Sequence, residues 1–376
     1  MTVNEKKILT LISKYGPLTK RQLAEKSGVS WATVVKMVAR LESAGYLVFA
    51  GLSKRKNVQG KDSSVFDLSE TNPLSIGIDI EYSATHLLLT NLKNQILDTK
   101  TCRTPRLNTI ADIEKFVAEQ IERFIDAAHL NADNLAGVGV VLPAFLVKTN
   151  TNLFSALSRN FEGRFPFPVM VDDVIRAYTL YKERQLFSAG NFIILTIRSG
   201  IGVGISLGGH LYRGDENLAG ELSHVVVEKN GRICPRCGKR GCLETLVNEK
   251  ILLDKYRKIP SSGRIPGGKV SEELSDLFAR ASQGQKPALS IVQEAADHLA
   301  RGLGMLLHIL DIRRVYLAGH FGPHGDVLIK EIEGLNARYL SRMISYEIFY
   351  EPLEDYGFTS GASLLVLRRY CDYDFD

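Results

Sequence analysis

Three cysteines within nine residues, Cys234, Cys237 and Cys242 in the segment Cys234-Pro-Arg-Cys-Gly-Lys-Arg-Gly-Cys242, constrain this chain more than any other feature. The chain has five cysteines, and an odd number with one tight cluster points to a metal and away from disulfides. Glycines let the backbone double back as a knuckle, and three thiols on such a turn suit a tetrahedral ion with one further ligand. His224, upstream in Gly220-Glu221-Leu222-Ser223-His224 at the expected edge of a strand, is the candidate fourth. Thiolate-rich sets are closed, so the expectation is one structural zinc per chain on His224, Cys234, Cys237 and Cys242, not a hydrolytic centre.

A length of 376 residues exceeds one core and calls for at least two domains. With 45% apolar and 24% charged residues there is material for a buried interior and no compositional case for wholesale disorder. No stretch approaches the roughly 18 apolar residues that span a bilayer, and the start has no cleavable leader, so a cytoplasmic protein without a membrane partner is expected. Charge is uneven: residues 1–70 hold 12 Lys/Arg against 6 Asp/Glu, hence +6 of a total of +5, leaving −1 for the remainder. A basic module of this kind suits a partner made of phosphates.

Helix signals fill that module. Ile8, Leu9, Leu11 and Ile12 recur at helical spacing until Tyr15-Gly16-Pro17 breaks the pattern. Thr19 is an N-cap for Lys20–Lys26, Gly28 supplies a tight turn, and Ser30 caps a third helix. There Val34, Met37, Val38 and Leu41 form the buried stripe, leaving Trp31, Thr33, Lys36 and Arg40 to solvent or DNA. After Gly45, Tyr46–Phe49 and Ser64–Leu68 read as strands of a wing whose tip, Lys54-Arg55-Lys56 with Lys61 nearby, is placed for backbone phosphates. Residues 1–70 are therefore expected to be a winged helix-turn-helix in which Thr19, Ser30, Trp31, Thr33, Lys36, Arg40, Lys54, Arg55 and Lys56 face double-stranded DNA. Trp31 has two readings, a contact to a thymine methyl or packing on a neighbouring helix.

Residues 71–376 alternate strands and helices: strands at 74–80, 86–92, 137–142, 169–171, 192–197, 204–207 and 314–318, with helices at 110–128, 174–185 and 299–310. The expectation is an α/β, actin-like (ribonuclease H-like, sugar-kinase-like) domain of two lobes, about 71–170 with the C-terminal helix and 171–350. The Ser/Gly/Pro-rich stretch Pro260–Lys269 reads as an exposed loop.

The glycine–glutamate–x–x–histidine segment 220–224 and a knuckle ending in Cys242-Leu-Glu244 resemble the ROK family of repressors, open reading frames and kinases. With its basic head, the chain is similar to the repressor branch, of the xylose and N-acetylglucosamine repressor type. The resemblance implies a regulator of carbohydrate-utilisation genes that binds a palindromic operator as a homodimer or tetramer and responds to a sugar or sugar derivative. It implies a ligand set of Asp172, Asp173, Glu221, His224 and Glu244, carboxylates suited to sugar hydroxyls. The family knuckle more often places one residue between its first two cysteines; here Pro235 and Arg236 intervene. Asp172 replaces an asparagine, and two adjacent acids favour a neutral sugar unless a cation intervenes. Asp173 matches the general base of the kinases and is expected to be vestigial, so no catalytic residue is assigned. Nucleotide binding in that fold needs a glycine turn after the first strand, and Glu81-Tyr82-Ser83 lacks one. A sugar kinase with an added DNA-binding head, or a regulator that has lost sugar sensing, are the alternatives.

Overall fold

The structure, a computed structural model, describes residues 1–53, 63–143, 146, 153–186, 190–260, 269–353 and 356–371. The wing-tip residues Lys54, Arg55, Lys56 and Lys61, and most of the Pro260–Lys269 loop, lie outside the described residues. The chain forms two units, Met1–Phe187 with Tyr356–Asp376, and Ser188–Asp355.

In the first unit the head begins with α1 (Val3–Tyr15), started by a capping box in which the Thr2 hydroxyl accepts from Glu5 N while the Glu5 carboxylate accepts from Thr2 N. Strand β1 (Leu18–Thr19) leads into α2 (Lys20–Ser27), opened by a second box between Thr19 and Gln22. Gly28, at φ +69°, makes the left-handed turn into α3 (Trp31–Ser43), where Ser30 Oγ accepts from Thr33 N. The wing strands β2 (Leu47–Ser53) and β3 (Ser63–Leu68) pair antiparallel, and β1 adds to β3 for an order of β1-β3-β2. Ile8, Leu9, Ile12, Leu23, Val34, Val38, Leu41, Leu47 and Phe66 are the buried interior of the head. Each such side chain contributes roughly 1.5–3 kcal/mol, more than the helices' intrinsic propensity. Lys93 bridges Asp67 (2.7 Å) and Glu70 (2.9 Å), and Tyr46 packs on Tyr370 at 5.6 Å between rings, fastening the head to the remainder of the first unit.

Beyond the head, β4 (Leu74–Ile80), β5 (Ala84–Thr90) and β6 (Ile96–Arg103) form a meander. After α4 (Ile110–Ala127) come β7 (Leu135–Leu142), α5 (Leu153–Asn160), β8 (Val169–Asp173) and α6 (Val174–Leu186). The sheet order is β6-β5-β4-β7-β8, with β4, β7 and β8 parallel. Because β8 hydrogen-bonds to β7, the lobe boundary expected at residue 170 falls instead after Phe187, and Asp172 and Asp173 belong to this first unit. The C-terminal helix Gly357–Leu367 is buried along its whole length against β4 and β7. A Cβ at Gly77 or Gly139 would run into the carbonyl oxygens of Thr359 and Ala362, so helix and sheet meet backbone to backbone.

The second unit contains β9 (Phe192–Ile197), β10 (Ile201–Leu207), β11 (His210–Leu211), α7 (Glu249–Tyr256), α8 (Val270–Ser282) and α9 (Lys286–Leu310). These are followed by β12 (Arg314–Gly319), α10 (Asp326–Glu333), α11 (Asn336–Tyr339) and β13 (Glu347–Pro352), which makes the C-terminal helix α12. Helix α9 starts at Lys286, well before the expected Leu299. Its sheet, β11-β10-β9-β12-β13, repeats the strand order of the first. Two mixed sheets of one topology are the duplicated, actin-like arrangement expected. Among the described residues no helix is long and apolar enough to cross a membrane.

Candidate functional site

On the head, α3 turns Val34, Met37, Val38 and Leu41 inward and leaves Ser30, Trp31, Thr33, Lys36 and Arg40 exposed. Trp31 is 55% exposed. Arg40 reaches back to the buried Glu5 carboxylate at 3.4 Å. The Thr2 backbone N–H holds the Glu5 carboxyl below its ordinary 4.5, against burial and with help from the Thr2 hydroxyl and Arg40. Thr19 is only 7% exposed and its hydroxyl is committed to Gln22, so it is a cap within the head and not a DNA-facing group. Lys20 lies over the Phe66 ring (4.9 Å) and Lys26 over that of Tyr15 (4.1 Å).

At the C-terminal end of β8 the two aspartates part company. Asp172 is 7% exposed, and its Oδ1 accepts from Arg176 Nε at 2.5 Å; Arg176 is 8% exposed and lies over the Phe154 ring at 5.0 Å. Asp173 is half-buried and accepts from Ile175 N at 2.9 Å, capping α6. The doubled negative charge expected of the doublet is therefore corrected: a cation intervenes, supplied one helical turn along by the chain itself.

The second unit holds the cysteine cluster. His224 ends a short 3-10 turn, Leu222–His224, in place of the expected strand edge. The knuckle closes by Cys234 N to Lys239 O (2.7 Å) and Gly241 N to Arg232 O (2.9 Å), with a bridge between Ile233 and Arg240. Gly241, at φ +75° and packed against Glu228, could carry no side chain there, and it swings Cys242 back beside Val226. Beneath, Leu222 and Leu243 pack on Gly302 of α9, which has no Cβ to hold them off. The donor atoms of His224, Cys234, Cys237 and Cys242 all lie within 4.8 Å of one another. Cys237 and Cys242 Sγ are 3.3 Å apart, and His224 Nδ1 is 3.7 Å from Cys234 Sγ. A tetrahedral ion with bonds of about 2.0–2.3 Å needs donors roughly 3.3–3.8 Å apart, so this set could hold a metal ion. Burial pushes the Cys242 thiol up to about 12 and raises Cys234, whereas the Lys239 backbone N–H lowers Cys237. A coordinated cation deprotonates such thiols outright.

Glu221 and Glu244 flank the same histidine. Glu221 Oε2 is 3.9 Å from His224 Nε2, and Glu244 Oε1 is 3.8 Å from His224 Nδ1 and 3.3 Å from Cys234 Sγ. Glu244 is 5% exposed, and its second oxygen is ion-paired with Arg236 at 2.9 Å. Reasoning from sequence alone misses both Arg176 and Arg236. The signal for Arg236 is present, since it is part of the longer spacing between the first two cysteines.

Residues 75–369 match the model of the ROK family, and residues 1–48 match that of a winged helix-turn-helix DNA-binding domain. The chain belongs to the ROK family. The ROK chain is 25% identical to the xylose repressor of Bacillus subtilis over 383 residues, covering 98% of this chain and 96% of that protein. It is 28% identical to the glucokinase of Thermotoga maritima over 315 residues, covering 78% of this chain and 97% of that enzyme. A crystal structure of a ROK family transcriptional regulator, a homologue of the Escherichia coli MLC protein, superimposes on 98% of the ROK chain and 96% of its own with a TM-score of 0.80 at 18% identity. Family membership thus joins repressors and sugar kinases.

Proposed function

We propose that this ROK protein is a DNA-binding transcriptional regulator, a repressor of carbohydrate-utilisation genes whose operator binding is modulated by a sugar or sugar derivative held in the ROK domain. The carrying observation is the winged-helix head with an exposed α3 face on the same chain as a ROK domain, in an arrangement matched over 98% of the chain by a xylose repressor. Trp31, Thr33 and Lys36 read the major groove, while Arg40 and the wing residues Lys54, Arg55 and Lys56 meet phosphates. A homodimer, or a tetramer built of dimers, on a palindromic operator in the cytoplasm completes the reading.

His224, Cys234, Cys237 and Cys242 hold one structural zinc, whose chemistry is a cross-link between the knuckle and the Leu222–His224 turn. His224 turns Nδ1 toward the thiols and Nε2 toward Glu221, so one ring serves both metal and effector. In the second unit the half-exposed Glu221 accepts effector hydroxyls, whereas buried Glu244 holds Arg236 and, in the first unit, buried Asp172 holds Arg176. Two features oppose nucleotide chemistry. Glu81-Tyr82-Ser83 offers side chains where phosphates need bare backbone. At the end of β12, Gly319 lies close under the Phe321 ring and Gly322 beside Ser275, so packing, not an approaching nucleotide, accounts for these two glycines.

Fluorescence anisotropy of the full chain on genomic fragments tests the reading. Affinity should fall steeply with salt, and Lys54→Ala in the wing should weaken binding across sequences and reduce the salt slope by about one. Absence of salt-sensitive affinity for any duplex overturns it. Similarity to a glucokinase supports a second reading, a kinase with a DNA-binding head. A coupled assay with ATP, hexoses and aminosugars separates the two, with turnover favouring the enzyme.

A further inference from the structure

The first unit carries a cavity of about 500 Å³ that shares Tyr82 and Ser83 with the turn after β4 and no residue with the DNA-facing set, the aspartate doublet or the cysteine cluster. One wall is the turn between β4 and β5, with Tyr82 and Ser83; the other is the segment after β6, with Arg103, Thr104, Arg106 and Asn108. Hydrogen bonds hold the walls at a fixed separation. Thr104 N donates to Ser83 O at 3.2 Å, and the Thr104 and Thr85 hydroxyls meet at 2.8 Å beneath them. Arg103 closes β6 in register with Ala84, and Arg106 Nε donates to Asn108 Oδ1 at 3.1 Å. Leu107 and Leu146 supply apolar wall.

The charged groups lining this cavity are both guanidinium ions. Among the described residues no carboxylate lines it: Glu81 precedes Tyr82 in sequence but is not part of the lining, and Asp112 Oδ2 accepts from Asn108 N and Thr109 N, each at 3.0 Å, as the cap of α4. Two like charges lining one concave surface raise its potential and are relieved by an anion. Guanidinium forks match phosphate and carboxylate oxygens in pairs, and the hydroxyls and amide around them can hold neutral polar groups. The volume lies within the range of small-molecule sites, roughly 300–1,000 Å³. Tyr82 and Ser83, whose bulk argues against a nucleotide polyphosphate, thus find a use as walls.

We propose that this cavity is an anion-binding site that takes a small, hydroxyl-bearing molecule with one phosphate or carboxylate, the acidic group lying between Arg103 and Arg106. The site goes beyond the regulator reading and does not depend on it. A chain that binds such a molecule here but no operator keeps the site and loses that reading.

Calorimetric titration of the full chain with glucose 6-phosphate, glucuronate, inorganic phosphate and glucose tests it. The first two should bind at least about tenfold more tightly than glucose, the equivalent of 1.4 kcal/mol, and inorganic phosphate should compete. Preference between glucose 6-phosphate and glucuronate tells whether a phosphate or a carboxylate is the acid received. Arg103→Gln and Arg106→Gln should each cost about tenfold or more in that affinity, the loss of one charged pair. Arg123→Gln, on the exposed face of α4 beside Glu119, should cost nothing. Because both cavity arginines are exposed, the variants should keep the parent melting temperature, which thermal unfolding checks. Undiminished affinity in the Arg103→Gln/Arg106→Gln double variant, or no binding of either acidic sugar at millimolar concentration, overturns the proposal.

Discussion

A buried arginine decides what the Asp172–Asp173 doublet can do. With Arg176 at 2.5 Å, Asp172 is a structural counter-ion, while Asp173 caps α6 through Ile175 N. Arg176→Ala would strand a buried charge, and breaking such a pair costs about 3–5 kcal/mol, so chemical unfolding of the first unit should shift by that order. Replacing both partners with leucine should recover most of the loss, because the desolvation of two ions disappears with them. Glu5 makes a different prediction, one that depends on pH. Its folded pKa lies below 4.5, so its contribution to stability is fully present above that pH and is lost as the pH falls through the folded value. Glu5→Gln should therefore cost about 1 kcal/mol at pH 7, and the gap from the parent should close below about pH 4.5. Trp31, the one tryptophan in the chain, lies on the head and reports its unfolding by fluorescence. Neither pairing is legible in the sequence. Residue type and spacing show that an acid and a base exist, but burial turns an ordinary i,i+4 neighbour or a knuckle arginine into a fixed counter-ion.

At the scale of elements, legibility tracks the strength of local signals. The three head helices announce themselves through the Thr19 and Ser30 caps and through apolar stripes that need no partner to be recognised, whereas the Thr2 cap of α1 goes unread until the structure shows it. Strand β6 does not, since as an edge strand its residues are mostly exposed and show no alternation. Nor does β1, whose two residues are too few to show a period. Helix α8 carries Leu274, Leu277, Phe278 and Ala281 at helical spacing, a usable signal overshadowed by the Ser/Gly/Pro-rich stretch before it. The seat of α12 is the hardest case, because its evidence is a lack of side chains. Gly77 in β4 and Gly139 in β7 read as weak strand residues in sequence, yet they are where the helix backbone touches the sheet. Gly139→Val should force α12 off β7 and destabilise the first unit by at least about 1–3 kcal/mol, measured as a lowered denaturant midpoint. A valine at Gly163, which has φ +73° but nothing within 4 Å, separates the two effects, since it tests backbone strain without packing.

For the whole molecule, the two halves of the proposed regulator lie in different units, and this separates their failures. The head has its own sheet and its own buried residues, from Ile8 to Phe66, and none of them is a candidate metal ligand. The knuckle draws its support from elsewhere, through Leu222 and Leu243 on α9 and through its own short bridges. Removing a metal from His224, Cys234, Cys237 and Cys242 would leave three thiols and a histidine within 4.8 Å of one another, held only by weak thiol hydrogen bonds and the short bridges of the knuckle. The knuckle should then open, taking Glu244 and Arg236 with it, since both flank the thiols in sequence. Metal-binding energy in such small sites is largely folding energy, so the loss should be local and cooperative. Chelator treatment of the purified full chain should therefore release about one zinc per chain and lower the melting temperature of the second unit, while Trp31 emission and affinity for DNA hold constant. Response of that DNA affinity to an effector should vanish with the metal and return when zinc is added back. Loss of DNA affinity in parallel with the metal would mean that the head depends on the knuckle, and the separation argued from their independent interiors would fail.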